Sequence, residues 1–157
     1  MKHALLWLSA FTMLFNATAL LAEETDLTAQ NRPCIRLTME DATLYILLEE
    51  NSASRSLLAQ LPMTLTFEDY NATEKIAYPE EALDTSDAPD RCDPEIGTLA
   101  YYAPWGNLCI FYRDFQESAG LVPLGKIEEG MDLIQNRSGA WTALLEDAGK
   151  QPAEEKE

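Results

Sequence analysis

The sequence predicts a mainly β domain, closed into a barrel or stacked as a sandwich, over residues 34–146. Three features carry that reading. Short runs of β-forming residues alternate with turn residues along the whole stretch. Met63-Thr64-Leu65-Thr66-Phe67 alternates strictly between apolar and polar, the period of a half-buried strand. Thr98–Ala103 and Leu108–Arg113 flank a Pro-Trp-Gly turn and read as a hairpin. Many short strands with few helices suit a closed barrel or a sandwich.

Taken in order, Cys34–Met39 and Thr43–Glu49 form a first predicted hairpin around Glu40-Asp41-Ala42. Asn51-Ser52-Ala53-Ser54 then offers N-cap side chains. Leu57, Leu58 and Leu61 make one apolar side of a short helix that Pro62 ends. The alternating strand puts Met63, Leu65 and Phe67 on one face, and Lys75–Tyr78 reads as its neighbour. Residues 79–96, dense in Pro, Asp and Glu, are expected to form a solvated loop. In the second hairpin, Pro104-Trp105-Gly106 suits a three-residue connection in which glycine takes the positive φ. Leu121–Ile127 follows as a strand, Glu128–Gln135 as a short helix with Leu133 and Ile134 inward, and Trp141–Leu145 as the last strand.

The ends of the chain differ in character. Met1-Lys2-His3, an apolar run from Ala4 to Phe15 and the small residues Ala17, Thr18, Ala19 and Ala22 have the layout of a secretion signal. The run is short for a membrane span, so residues 1–22 are expected to be removed, after Ala22 or after Ala19. An uncleaved anchor is the alternative. Residues 23–33 read as an acidic linker and residues 147–157 as a disordered acidic tail. The expected location is therefore periplasmic or secreted, with no stable membrane insertion after cleavage.

Loss of the leader would change the chemistry available. It carries Lys2 and no acid, so the net charge of −16 becomes −17 when that one positive charge is removed. The sole histidine, His3, leaves with it, which excludes Ser-His-Asp and Cys-His nucleophiles. Such an acidic surface opposes nucleic acid, whose phosphates demand Lys and Arg, and suits solubility.

Three further groups bear on function. Asp84, Asp87, Asp90 and Asp93 recur every third residue, but without the spacing or glycine of a calcium loop, and no metal is expected there. Asp69, Glu74 and Lys75 flank a turn; they read as turn residues and a surface ion pair, with an acid–base carboxylate pair as the sharper alternative. Among Cys34, Cys92 and Cys109, export favours one disulfide, and Cys34–Cys92 is the expected pair.

The stretch Leu61–Tyr70 followed by Glu74–Tyr78, the Ala103-Pro104-Trp105-Gly106-Asn107 hairpin with its flanking strands, and Leu121, Leu124, Gly125 and Ile127 together resemble the bacterial cyclophilin-like family of small barrels. The resemblance implies a closed, mostly antiparallel β-barrel with one or two short helices. It departs from the family at Pro79, where a leucine precedes the proline in the usual pattern, and at Cys92 and Cys109. It does not imply an activity: the Phe-His-Arg and Gln-Gly-Gly-Asp-Phe stretches of true cyclophilins are absent.

The aromatic group is large for so small a domain, and tyrosines beside a turn tryptophan suit a groove for a peptide or small molecule. Tyr70, Tyr101, Tyr102, Trp105, Asn107 and Tyr112 are the ligand-binding candidates, while alternation assigns Phe67 and Phe111 to the core. The expected function is binding of a peptide or small ligand without covalent chemistry, cofactor or metal. The alternatives are a divergent peptidyl-prolyl isomerase and a structural, partner-binding envelope component.

Overall fold

The structure, a computed structural model, describes residues 32–150; the expected leader, residues 23–31 and residues 151–157 lie outside the described residues. The strands are β1 (Pro33–Thr38), β2 (Thr43–Leu48), β3 (Met63–Tyr70), β4 (Glu74–Ala77), β5 (Arg91–Cys92), β6 (Thr98–Tyr102), β7 (Asn107–Phe111), β8 (Ser118–Ala119), β9 (Leu121–Ile127) and β10 (Trp141–Lys150). Two helices accompany them, α1 (Ser52–Ala59) and α2 (Met131–Gln135). Eight strands close into an antiparallel barrel in the order β1-β10-β3-β4-β7-β6-β9-β2, and β5 pairs with β8 outside it.

Alternation along each strand decides what fills the barrel. Ile35, Leu37, Ile46, Leu48, Leu65, Phe67, Leu99, Leu108, Ile110 and Leu145 point inward and are buried. Eight strands leave an interior just wide enough for such side chains to fill. Phe67 and Trp141, cross-strand partners, stack with centroids 4.6 Å apart. Ile134 of α2 joins the same core; Leu133, expected inward, is instead exposed, because the helix is one short turn and only one of the pair faces the barrel.

The expected N-cap forms as the side chains suggested. The Asn51 carboxamide oxygen accepts from Ser54 N at 2.9 Å, and Leu57 and Ala53 bury the inner side of α1. The helix start also reads an irregularity in β9. Leu99 pairs with Gly125 but Ala100 with Pro123, so Leu124 is an extra residue on its strand. The carbonyls around it go to Asn51 Nδ2 (from Pro123), and to Ser54 Oγ and Glu49 N (both from Leu124), at 2.8–2.9 Å. Gly125 lies against the Leu47 carbonyl where a Cβ would overlap it. A bulge, a glycine and a helix N-terminus thus satisfy one another's backbone groups.

Several expectations are corrected. Residues 79–96 are not a freely solvated loop. Leu83 is buried in the core, and Asp87 accepts from Ser52 N and from Arg55 Nη2, tying the segment to the start of α1. Arg91 and Cys92 then form β5, too short for any periodicity to reveal. The last strand runs on to Lys150, with Asp147 opposite Ile35 and Lys150 opposite Pro33, so residues 147–150 are strand where composition suggested tail. The second hairpin is joined by four residues, Ala103–Gly106; Trp105 N and Gly106 N both donate to the Tyr102 carbonyl, and Gly106 has the expected positive φ of 69°. Leu61-Pro62 is a cis peptide.

The β3–β4 turn is tighter than its sequence favours. Asn71 and Ala72 have φ of 51° and 52°, and Thr73 N donates to the Tyr70 carbonyl at 3.1 Å. Asparagine tolerates that conformation, whereas the alanine Cβ crowds its own backbone. Ala72→Gly is expected to raise stability by about 0.5–1 kcal/mol, the relief of strain exceeding glycine's larger unfolded-state entropy. Thermal unfolding should show a Tm a few degrees higher.

Candidate ligand-binding site

The β3–β4 turn sets two different environments on the two faces of the sheet. Asp69 and Lys75 are cross-strand partners that point into the end of the barrel; Tyr70 and Glu74, the next pair, point outward.

On the inner side, Lys75 is only 2% exposed. Its ammonium donates to Asp69 Oδ1 at 2.8 Å and to the Arg137 carbonyl at 2.7 Å, and lies 4.9 Å from the centre of the Tyr112 ring. The Tyr112 hydroxyl donates to the same Asp69 oxygen at 2.7 Å. Hydrogen bonds from Lys75 and then from Tyr112 hold the Asp69 carboxyl below the usual carboxylate range. Burial, and then the Asp69 carboxylate, push the Tyr112 phenol up to about 12. The pair expected at the surface is therefore half buried, because alternation carries Lys75 inward. The Lys75 ammonium and the Tyr112 hydroxyl thus both find acceptors within the chain, while Arg137 Nε and Trp141 Nε1 nearby are buried without one.

On the outer side, Tyr70, Trp105 and Tyr102 come together. Trp105 meets Tyr70 at 5.5 Å between ring centroids with an interplanar angle of 89°, and Tyr102 at 5.4 Å and 77°. Trp105 is 50% exposed and Tyr70 40% exposed. Tyr102 also packs against a second apolar cluster of Ala100, Cys109, Phe111 and Leu121, with Ile76 and Cys92. A groove of about 380 Å³ is lined by Thr64, Leu65, Thr66, Glu68, Ile76 and Tyr78. Glu68 and Tyr70 are successive outward residues of β3, so groove and rings share one face.

Beneath this face lies Glu74. Its carboxyl lies near the Cys109 thiol, and its Oε2 is buried with no partner. Burial pushes the Glu74 carboxyl above its ordinary value. Burial, and then the Glu74 charge, push the Cys109 thiol up; burial and then Asp93 push Cys92 up to about 11. Thiols so shifted stay protonated at neutral pH and are poor nucleophiles.

Of the six residues expected to bind a ligand, three assemble and three are buried elsewhere. Tyr101 points into the core, its hydroxyl accepting from Leu83 N at 3.3 Å. Tyr112 belongs to the inner cluster with Asp69. Asn107 lies buried, accepting from the Cys109 thiol at 3.7 Å. Glu74 and the groove residues, which lie on the same face as the rings, were not among the candidates. The alternation that sends Lys75 inward sends Glu74 outward, but its burial depends on residues distant in the chain.

The other chemistries resolve similarly. Asp69 and Glu74 lie on opposite faces of one sheet, so they cannot act on one substrate as an acid–base pair. The Cys34–Cys92 disulfide is not formed: all three thiols are free. Cys34 is on β1, and Cys92 packs against the cluster on β6 and β7, with β7 diametrically across the barrel from β1. Arg32, Arg36, Arg55, Arg91 and Arg137 each engage a carboxylate, so none of these five is free to act beside the rings. Among the described residues no cluster of three metal-ligating side chains occurs, and no helix is long and apolar enough to cross a membrane.

Residues 37–146 match the Cyclophilin-like family. The solution structure of a hypothetical protein from Archaeoglobus fulgidus is similar to this chain, with a TM-score of 0.60 and 21% identity over 76% of this chain and 97% of that one. At that identity the likeness concerns the fold. No curated protein matches the chain.

The opposite shifts of the two carboxyls separate their contributions to stability. Asp69 has a lowered folded pKa, so it stabilises the fold above about pH 4 and loses that contribution as pH falls further. Asp69→Ala would leave the Lys75 charge buried without its partner and is expected to cost about 2–4 kcal/mol, while Lys75→Met should cost under about 1 kcal/mol. Glu74 has a raised folded pKa, so its ionisation works against the fold as pH rises. Glu74→Gln is expected to gain about 1 kcal/mol at neutral pH, a gain that vanishes below about pH 4. Denaturant melts of the three variants across pH check both signs.

Proposed function

The chain belongs to the cyclophilin-like family, and on that premise we propose that it is an exported barrel domain that binds a peptide or small ligand on its outer face without covalent chemistry. The observation that carries the proposal is the edge-to-face trio of Tyr70, Trp105 and Tyr102, in which Trp105 and Tyr70 stand half exposed. A large indole left half in water at the tip of a turn is costly unless something covers it. Rings prepositioned by contact with one another lose little freedom when a ligand does so. The neighbouring groove extends the same face by enough room for a few residues of extended peptide.

Absence of covalent chemistry rests on the same neighbourhood. The thiols beneath the rings are held protonated, and the five arginines named above are engaged with acids. Export rests on the leader-like pattern of residues 1–22.

Titration with short proline-containing peptides, followed through the Trp105 indole N–H resonance, tests binding. Trp105→Ala, with binding read by calorimetry because the indole reporter is gone, is expected to weaken affinity at least about tenfold, as for an aromatic at the centre of an interface. A peptide set that leaves Trp105 unmoved would remove the binding reading. Proline isomerisation lost on that substitution would replace it with an enzymatic one.

A further inference from the structure

We propose that the outer-face site takes an organic ammonium group, its apolar substituents against Trp105, Tyr70 and Tyr102 and its charge on Glu74. The proposal rests on the binding reading above and names its ligand class.

Two observations meet here. The first is the geometry of the rings. Two ring planes in contact at nearly right angles bound a corner with one face from each, and Trp105 makes such corners with both Tyr70 and Tyr102. Ring faces carry the negative end of the aromatic quadrupole, which attracts a cation within about 6 Å of the centroid. Among the described residues, the cations that sit over rings are Lys75 and Arg137, over Tyr112 and Trp141 on the inner side.

The second is the unpartnered acid. Glu74 is the cross-strand partner of Tyr70 on the outward face. Cys109, near the same carboxyl, packs in the cluster that Tyr102 joins. The carboxyl thereby lies beside Tyr70, on the face that the rings share. Its Oε2 is buried and lacks a donor, although a buried acceptor normally has one. A neutral apolar ligand would cover the rings and leave that oxygen without a partner. An anion would meet both it and the exposed Glu68 alongside. A substituted ammonium supplies what each half lacks: alkyl surface for the rings, and positive charge with an N–H for the carboxylate.

A matched pair of probes isolates the charge. Dimethylaminoethanol, as its ammonium, and isoamyl alcohol, its neutral carbon isostere, are titrated into the protein at neutral pH. The Trp105 indole N–H resonance reports binding, and that of Trp141, buried on Phe67, reports an intact core. The ammonium is expected to bind at least about tenfold more tightly than the alcohol. Glu74→Gln should level the two; in Trp105→Ala, where the indole reporter is lost, calorimetry should show neither probe binding, with Trp141 unmoved in each variant. Equal or stronger binding of the alcohol, a preference that survives Glu74→Gln, or no response to either probe would overturn the proposal. If the proline-containing peptides still bind in that case, only the ammonium assignment falls; if they too leave Trp105 unmoved, the binding reading falls with it.

Discussion

Closing eight strands into a barrel leaves an interior that the barrel's own side chains fill. Half of every strand is therefore committed to packing, and only outward residues, strand ends and turns remain for anything else. Tyr101 and Tyr112 are spent on the inside, one bonded to Leu83 and the other to Asp69. Tyr70 and Tyr102 escape because each is the neighbour, one residue along, of a side chain that points in. Trp105 escapes because a four-residue turn lifts it off the sheet.

The same constraint explains the divided fate of the ionisable residues at the β3–β4 turn. A lysine sent inward must bring its partners, and Lys75 has Asp69, the Arg137 carbonyl and the face of Tyr112. Removing one partner from such a group costs more than removing the whole group. Glu74, sent outward, is partly buried and keeps one oxygen unpaired. On the inner face of the turn the lysine and its carboxylate are matched to each other. The outer face carries an unmatched acid beside half-exposed rings.

Most of the barrel was legible along the chain. Alternation placed Leu65 and Phe67 inside, the Asn51 cap marked the start of α1, and Gly106 marked the second hairpin. What escaped notice depends on partners. Two-residue strands such as β5 carry no period to read, and they exist because β8 is across from them. Residues 147–150 look like tail, yet form strand because β1 offers Pro33 and Ile35 as partners. The acidic loop looks solvated, yet Leu83 anchors it and Asp87 meets the start of α1. The helix over Met131–Gln135 is so short that its apolar side could not be assigned from spacing.

By itself the sequence determined the mainly β class, the hairpins and the alternating core, since these follow from local periodicity, turn residues and composition. Only the tertiary structure decided which aromatics meet: Tyr70 comes from β3, Tyr102 from β6 and Trp105 from the turn after it. It also decided that Asp69 and Glu74, five positions apart, lie on opposite faces with pKa values displaced in opposite directions. Sequence spacing sets the side of a sheet to which a residue points, but burial and ring contact depend on the strands that closure brings alongside.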